Sequence, residues 1–156
     1  TIALGSGDVQ SNFNYPAFKV ELASNQSIPN STTTKIAWDS EIYDTDNAFA
    51  SNKFTVPTGK GGKYHFSGII IMRNIDDNEI VSVRIHVNGS DTVDGLNVYR
   101  MNQYGTGTNT FITVPISADV DLSASDYVEL FIFHSEGSAQ NVDSGYSHFE
   151  GFRIGT

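Results

Sequence analysis

Apolar residues recur at every second position over several short stretches of this chain, and nowhere at helical spacing. Between residues 17 and 22, Phe18, Val20 and Leu22 alternate with Lys19 and Glu21. Between 80 and 87, Val81, Val83, Ile85 and Val87 alternate with Ser82, Arg84 and His86. A period of two is that of an extended chain with one face inward. Further strands are predicted at 35–38, 42–43, 54–57, 63–73, 96–101, 111–118, 127–134 and 148–154. Asn88-Gly89 marks a tight hairpin, and the Gly/Lys run 58–62 and residues 74–78 mark turns. The polar stretches 23–34, 103–109 and 135–147 read as loops. Many short strands and no helical window predict an all-β sandwich or barrel.

Two of these strands break the alternation. In 63–73, Tyr64, Phe66, Gly68, Ile70 and Met72 share one face; the other begins with Lys63, His65 and Ser67 and then turns apolar at Ile69 and Ile71. In 127–134, Tyr127, Phe131 and Phe133 oppose Val128, Leu130 and Ile132. A strand apolar on both faces is covered on both. In a chain this short the second cover is expected to be another subunit, with Ile69, Ile71, Phe131 and Phe133 at the contact. The rival arrangement is a monomeric sandwich whose second face is covered by the long N-terminal segment.

Composition narrows the function classes. The 156 residues suit one domain, and ten Phe and seven Tyr can fill a core without metals or disulfides. Cysteine is absent, which excludes a thiol nucleophile, a disulfide framework and a Cys-ligated zinc. A net charge of −9 without any Lys/Arg cluster argues against nucleic acid and anionic membrane surfaces as partners. No apolar run approaches the ~18 residues of a membrane span, so membrane insertion is not expected. Residues 1–15, rich in Gly, Ser and Asn, read as an arm or linker from an upstream region, and residues 16–156 as the domain.

Catalytic chemistry finds little footing. His65, His86, His134 and His148 fall on four separate predicted strands and read as surface or interface residues. There is no His-Glu-x-x-His helix, no Gly-x-Ser-x-Gly elbow and no phosphate loop leading into a helix. The Asp76-Asp77 pair sits in a turn. No enzyme activity and no cofactor are expected, with calcium left open because Asp44, Asp46 and Asn47, and separately Asp91 and Asp94, cluster oxygen ligands without completing an EF-hand. Sequons at Asn25, Asn30 and Asn88 decide nothing in a chain so rich in Asn, Ser and Thr.

Two loop regions, 97–109 and 136–147, carry the candidate ligand contacts: Tyr99, Arg100, Asn102, Gln103 and Tyr104 in the first, and Asn141, Asp143 and Tyr146 in the second. Rigid amphipathic tyrosines beside adaptable amides suit recognition of sugars or proteins.

The landmarks also fall in a familiar order. Trp38, Asp44, Phe49, Phe54 and Pro57 precede Gly62-x-Tyr64-x-Phe66; later come Ile85-His86-Val87-Asn88-Gly89, then Leu122, Asp126, Val128 and Leu130, and a closing Phe149-x-Gly151-Phe152. From residue 16 to the C-terminus the chain resembles the C1q/TNF-like globular head. It departs from that pattern in a shorter gap between Phe49 and Phe54, a longer loop between Pro57 and Gly62, and Val56 where the family usually has Cys. The resemblance implies a ten-stranded jelly-roll sandwich that forms a homotrimer, its inner sheet packed around a threefold axis. The expectation is therefore a non-enzymatic recognition head on a longer extracellular or virion-surface protein, binding a host-surface glycan or protein. The missing cysteines, the Asn/Gly/Thr-rich composition and the polar arm suggest a phage or bacterial fibre tip. The alternative is a structural trimerisation or capsid-decoration domain without a ligand.

Overall fold

Alternation becomes architecture in two antiparallel sheets. The computed structural model describes residues 15–76, 78–90, 99–102 (backbone course) and 111–155. One sheet has seven strands: β1 (Ala17–Glu21), β2 (Gln26–Ile28), β4 (Ser40–Asp44), β7 (Gly62–Arg73), β10 (Phe111–Leu122), β12 (Gln140–Val142) and β13 (His148–Gly155). The other has six: β3 (Thr34–Lys35), β5 (Phe49–Ala50), β6 (Lys53–Thr55), β8 (Ile80–Val87), β9 (Tyr99–Asn102) and β11 (Tyr127–His134). The strands beyond the ten expected are accounted for by very short ones, since five of these thirteen have only two or three residues. Two of them arise inside stretches expected to be loops: β2 and β12 pair with each other, Ile28 opposite Gln140.

The sandwich closes over its aromatic residues. Phe18 lies 4.9 Å from Phe54 and 5.0 Å from Phe49, both rings of the six-stranded sheet, and 5.3 Å from Phe149 of its own sheet. Tyr64, Phe66 and Trp38 extend the cluster, with Tyr64 and Phe66 fully buried. Room for this stack depends on Gly151. A Cβ there would sit 2.5 Å from the Phe66 ring and 2.8 Å from that of Phe18, inside hard-contact distance. The expected hairpin at Asn88-Gly89 forms, with φ of 53° and 79° and reciprocal backbone bonds of 3.0 Å between Val87 and Ser90.

One histidine corrects the expectation of surface or interface placement. His134 is fully buried; its Nε2 lies 3.0 Å from the Ile28 carbonyl, and its Nδ1 accepts the Glu136 N–H. Both ring nitrogens are used when Nε2 carries the hydrogen. The residue ties β11 to the start of the 28–31 loop and is a core group.

Tyr64 gives the fold a pH signature. Burial pushes its hydroxyl up to about 12; the Arg153 charge lowers it and Asp46 raises it by lesser amounts. The hydroxyl donates to the Lys60 carbonyl at 2.6 Å. The folded value lies above the unfolded ~10, so the stabilisation is fully present below pH ~10 and is lost as pH climbs toward the folded value. Denaturant titrations should show stability falling by about 2–3 kcal/mol over that window. In Tyr64→Phe that alkaline slope should be absent.

Candidate functional site

The outward face of the seven-stranded sheet can be read in rows from its register. Phe111 lies opposite Arg73, and Thr113 opposite Ile71. Pro115, Ile69, His148 and Glu21 form the next row, followed by Ser117, Ser67, Glu150, Lys19 and Tyr43. Asp119, His65, Phe152 and Ala17 come after that. Ile69 and Ile71 are half-buried on this face, while the end nearest Ala17 mixes polar and charged residues with exposed Phe152 and Ile154. There, His65 Nδ1 lies 2.7 Å from Asp119, its ring 5.4 Å from that of Phe152, and Lys19 lies 3.7 Å from Glu150.

This face also has an open border. Among the described residues β10 pairs with β7 alone, and all its outward side chains, from Phe111 through Pro115 to Asp121, are exposed. A proline at 115 suits a border strand, where a missing N–H is tolerated.

Phe131 and Phe133 do not join Ile69 and Ile71. They belong to β11 and point outward from the six-stranded sheet, on the opposite side of the sandwich, so the four residues expected at the subunit contact lie on two different faces. Their half-burial comes from neighbours on their own face. The Phe131 ring stacks at 4.1 Å on His86, and Phe133 lies opposite Ser82. Lys35, opposite Phe131, is held by Glu129 at 3.1 Å.

The sandwich has two distinct ends. Ala17, where the described chain begins its first strand, is level with His65 through Phe152. Arg73 is eight residues farther along β7, roughly 27 Å away at the rise of an antiparallel strand. That far end gathers Arg73, Phe111, the 143–147 turn and Ile80, with Asn102 opposite Ile80. Tyr99, Arg100 and Asn102 are thus strand residues of β9, not loop residues, while Gln103 and Tyr104 lie outside the described residues. Asn141 is exposed on β12, opposite Ser27, and Tyr146 is 65% exposed.

Asp143 corrects the expectation of a ligand contact. It is 2% exposed, its carboxylate accepts from the Arg73 guanidinium, and Oδ1 accepts the Gly145 N–H at 2.7 Å. Its backbone N–H donates to the Ile71 carbonyl, and Ser147 Oγ accepts the Ile71 N–H at 3.0 Å. The Arg73 guanidinium also lies 4.5 Å over the Phe111 ring. Asp143 therefore clamps the 143–147 turn onto β7 and leaves Tyr146 displayed.

Of the oxygen clusters considered for calcium, Asp44 accepts the N–H groups of Asp46 and Phe49, and Asp46 accepts the Thr45 hydroxyl, as in a capped turn. Asp91 and Asp94 lie outside the described residues. Among the described residues, no group of three or more His, Asp or Glu side chains is placed to hold a metal.

Comparison of folds places this architecture. The globular domain of zebrafish complement 1qA superposes with a TM-score of 0.60 at 17% identity, covering 90% of this chain and 98% of that one. The chain has the C1q/TNF-like fold. Eiger TNF from S. frugiperda superposes with the same TM-score at 12% identity, covering 90% of this chain and 92% of that one. No protein-family model matches the sequence, and no curated protein does. At such identities the C1q/TNF-like likeness concerns the backbone fold.

The clamp and the displayed tyrosine should behave differently on mutation. Asp143→Ala should lower stability by about 2–3 kcal/mol, because it strands the Gly145 N–H and unpairs Arg73. Tyr146→Ala should change it by no more than ~0.5 kcal/mol. Equilibrium urea titrations of both variants check this.

Proposed function

We propose that this chain is a non-enzymatic head that assembles as a homotrimer through the outer face of its seven-stranded sheet. In this reading it displays its far end to a host-surface ligand, a glycan or a protein. The observation that carries the assembly is the combination on one face: half-buried Ile69 and Ile71, exposed Phe111 (53%), Phe152 (47%) and Ile154 (51%), and a twelve-residue border strand with one edge unpaired among the described residues. Apolar surface beside an unpaired strand edge is what a partner subunit covers. The likeness to C1q/TNF-like heads supports three copies. Recognition follows from polarity of design: the first strand begins at one end, and Tyr146 and the end of β9 are displayed at the other. A longer extracellular fibre or virion protein is the setting this geometry suits.

The burial of Asp143 favours a second reading, a trimerisation or capsid-decoration domain without a ligand. With Asp143 spent inside the fold, fewer of the candidate contact residues remain available.

Light scattering of the purified protein should give the mass of three chains at micromolar concentration. The Ile69→Asp/Ile71→Asp double variant should yield monomers or insoluble protein. A well-behaved monomer from the parent ends the trimer reading. Tyr146→Ala should weaken binding to target cells while leaving the assembly and its melting temperature unchanged, whereas a parent trimer that binds no host surface favours the structural reading.

A further inference from the structure

Four polar side chains are buried among the described residues: Ser82, His134, Asp143 and Ser147. Three are satisfied by the bonds described above. The fourth, Ser82, is 1% exposed, and its Oγ has no hydrogen-bond partner among the described residues. Burying a hydroxyl unpaired costs about 1–3 kcal/mol, a cost that alanine at this position would avoid.

Ser82 lines a cleft of about 200 Å³ on the outer face of the six-stranded sheet, together with Thr33, Ile80, Arg84 and Phe133. Strand register explains the convergence. Ser82 faces Phe133 on β11 and the backbone of Arg100 on β9, and Thr33 immediately precedes β3, which runs beside β11. The cleft is smaller than the roughly 300–1,000 Å³ that takes a drug-sized molecule, so it suits a single ring.

We propose that this cleft is a binding subsite for one sugar residue of a glycan. The two chemistries it offers match a pyranose: a hydroxyl that both donates and accepts, and the apolar ring of Phe133 for a sugar C–H face. A free anion is a poorer match for a chain of net charge −9. The Oγ atom is covered in this conformation, so the ligand reaches it by displacing a rim side chain. The site stands apart from Tyr146, on a different sheet, and goes beyond the reading given above.

The test is an NMR titration of the intact protein with a free hexose, an N-acetylhexosamine and a sialic acid, each separately, with acetate as the anion control. At least one sugar should give saturable shifts at residues 80–84 and 131–133, with a Kd on the order of 1 mM. Ser82→Ala should raise that Kd about tenfold with an unchanged or higher melting temperature, and Phe133→Leu, which keeps an apolar wall but removes the ring, should weaken binding as well. Tyr146→Ala should leave this titration unchanged even if it loses cell binding, which separates this site from the far-end reading. Absence of saturable shifts with all three sugars, or an unchanged Kd in Ser82→Ala, overturns the proposal. So does tighter binding of acetate than of any sugar, or a lower melting temperature for Ser82→Ala, which would make the hydroxyl a structural group bonded to water.

Discussion

The sandwich depends on Phe18 reaching across it. Its ring touches aromatic partners from both sheets, and each contact fixes something the outer surfaces need. Contact with Phe54 sets the spacing of the sheets. Contact with Phe149 and Phe66 sets β13 and β7 side by side, which lines up the outward rows from Thr113 to Tyr43. Gly151 is the condition for all of it, since these rings occupy the space a Cβ would need. An assembly face made of rows is only as regular as the core that holds its strands in register.

The fold was legible because its determinants are local or ordered along the chain. Period-two alternation identified β1 and β8, the two-faced apolar patterns identified β7 and β11, and the aromatic landmarks that carried the resemblance proved to be the inter-sheet cluster, apart from Phe152, which faces outward. Where sequence reasoning fell short, the signal was absent for a physical reason. Each of β2 and β12 has a single inward apolar residue, Ile28 and Val142, so neither shows any period. They exist because they find each other, 114 positions apart at Ser27 and Asn141.

The candidate site was less legible, because contacts between distant positions decide what a polar residue does. Asp143 looked like a ligand contact in a Gly/Ser-rich loop; Arg73, 70 positions earlier, turns it into a clamp. His134 looked like the polar end of a strand until the Ile28 carbonyl, 106 positions earlier, met it. Phe131 and Phe133 show a different limit. Periodicity reveals that a face is apolar, but not which sheet the strand joins or whether a neighbour such as His86 already covers it.

The two outer faces differ in what their described residues present. The seven-stranded sheet presents the exposed side chains of β10 beside half-buried Ile69 and Ile71. On the six-stranded sheet the described aromatics Phe131 and Phe133 are interspersed with His86, Arg84, Lys35 and Glu129, a mixed surface. The subunit contact proposed for the first face and the small cleft on the second would not compete for the same atoms. Beside that cleft Ser82 keeps its buried hydroxyl without a partner among the described residues, the kind of departure from local packing rules that a fold tolerates where something outside it gives the group a use.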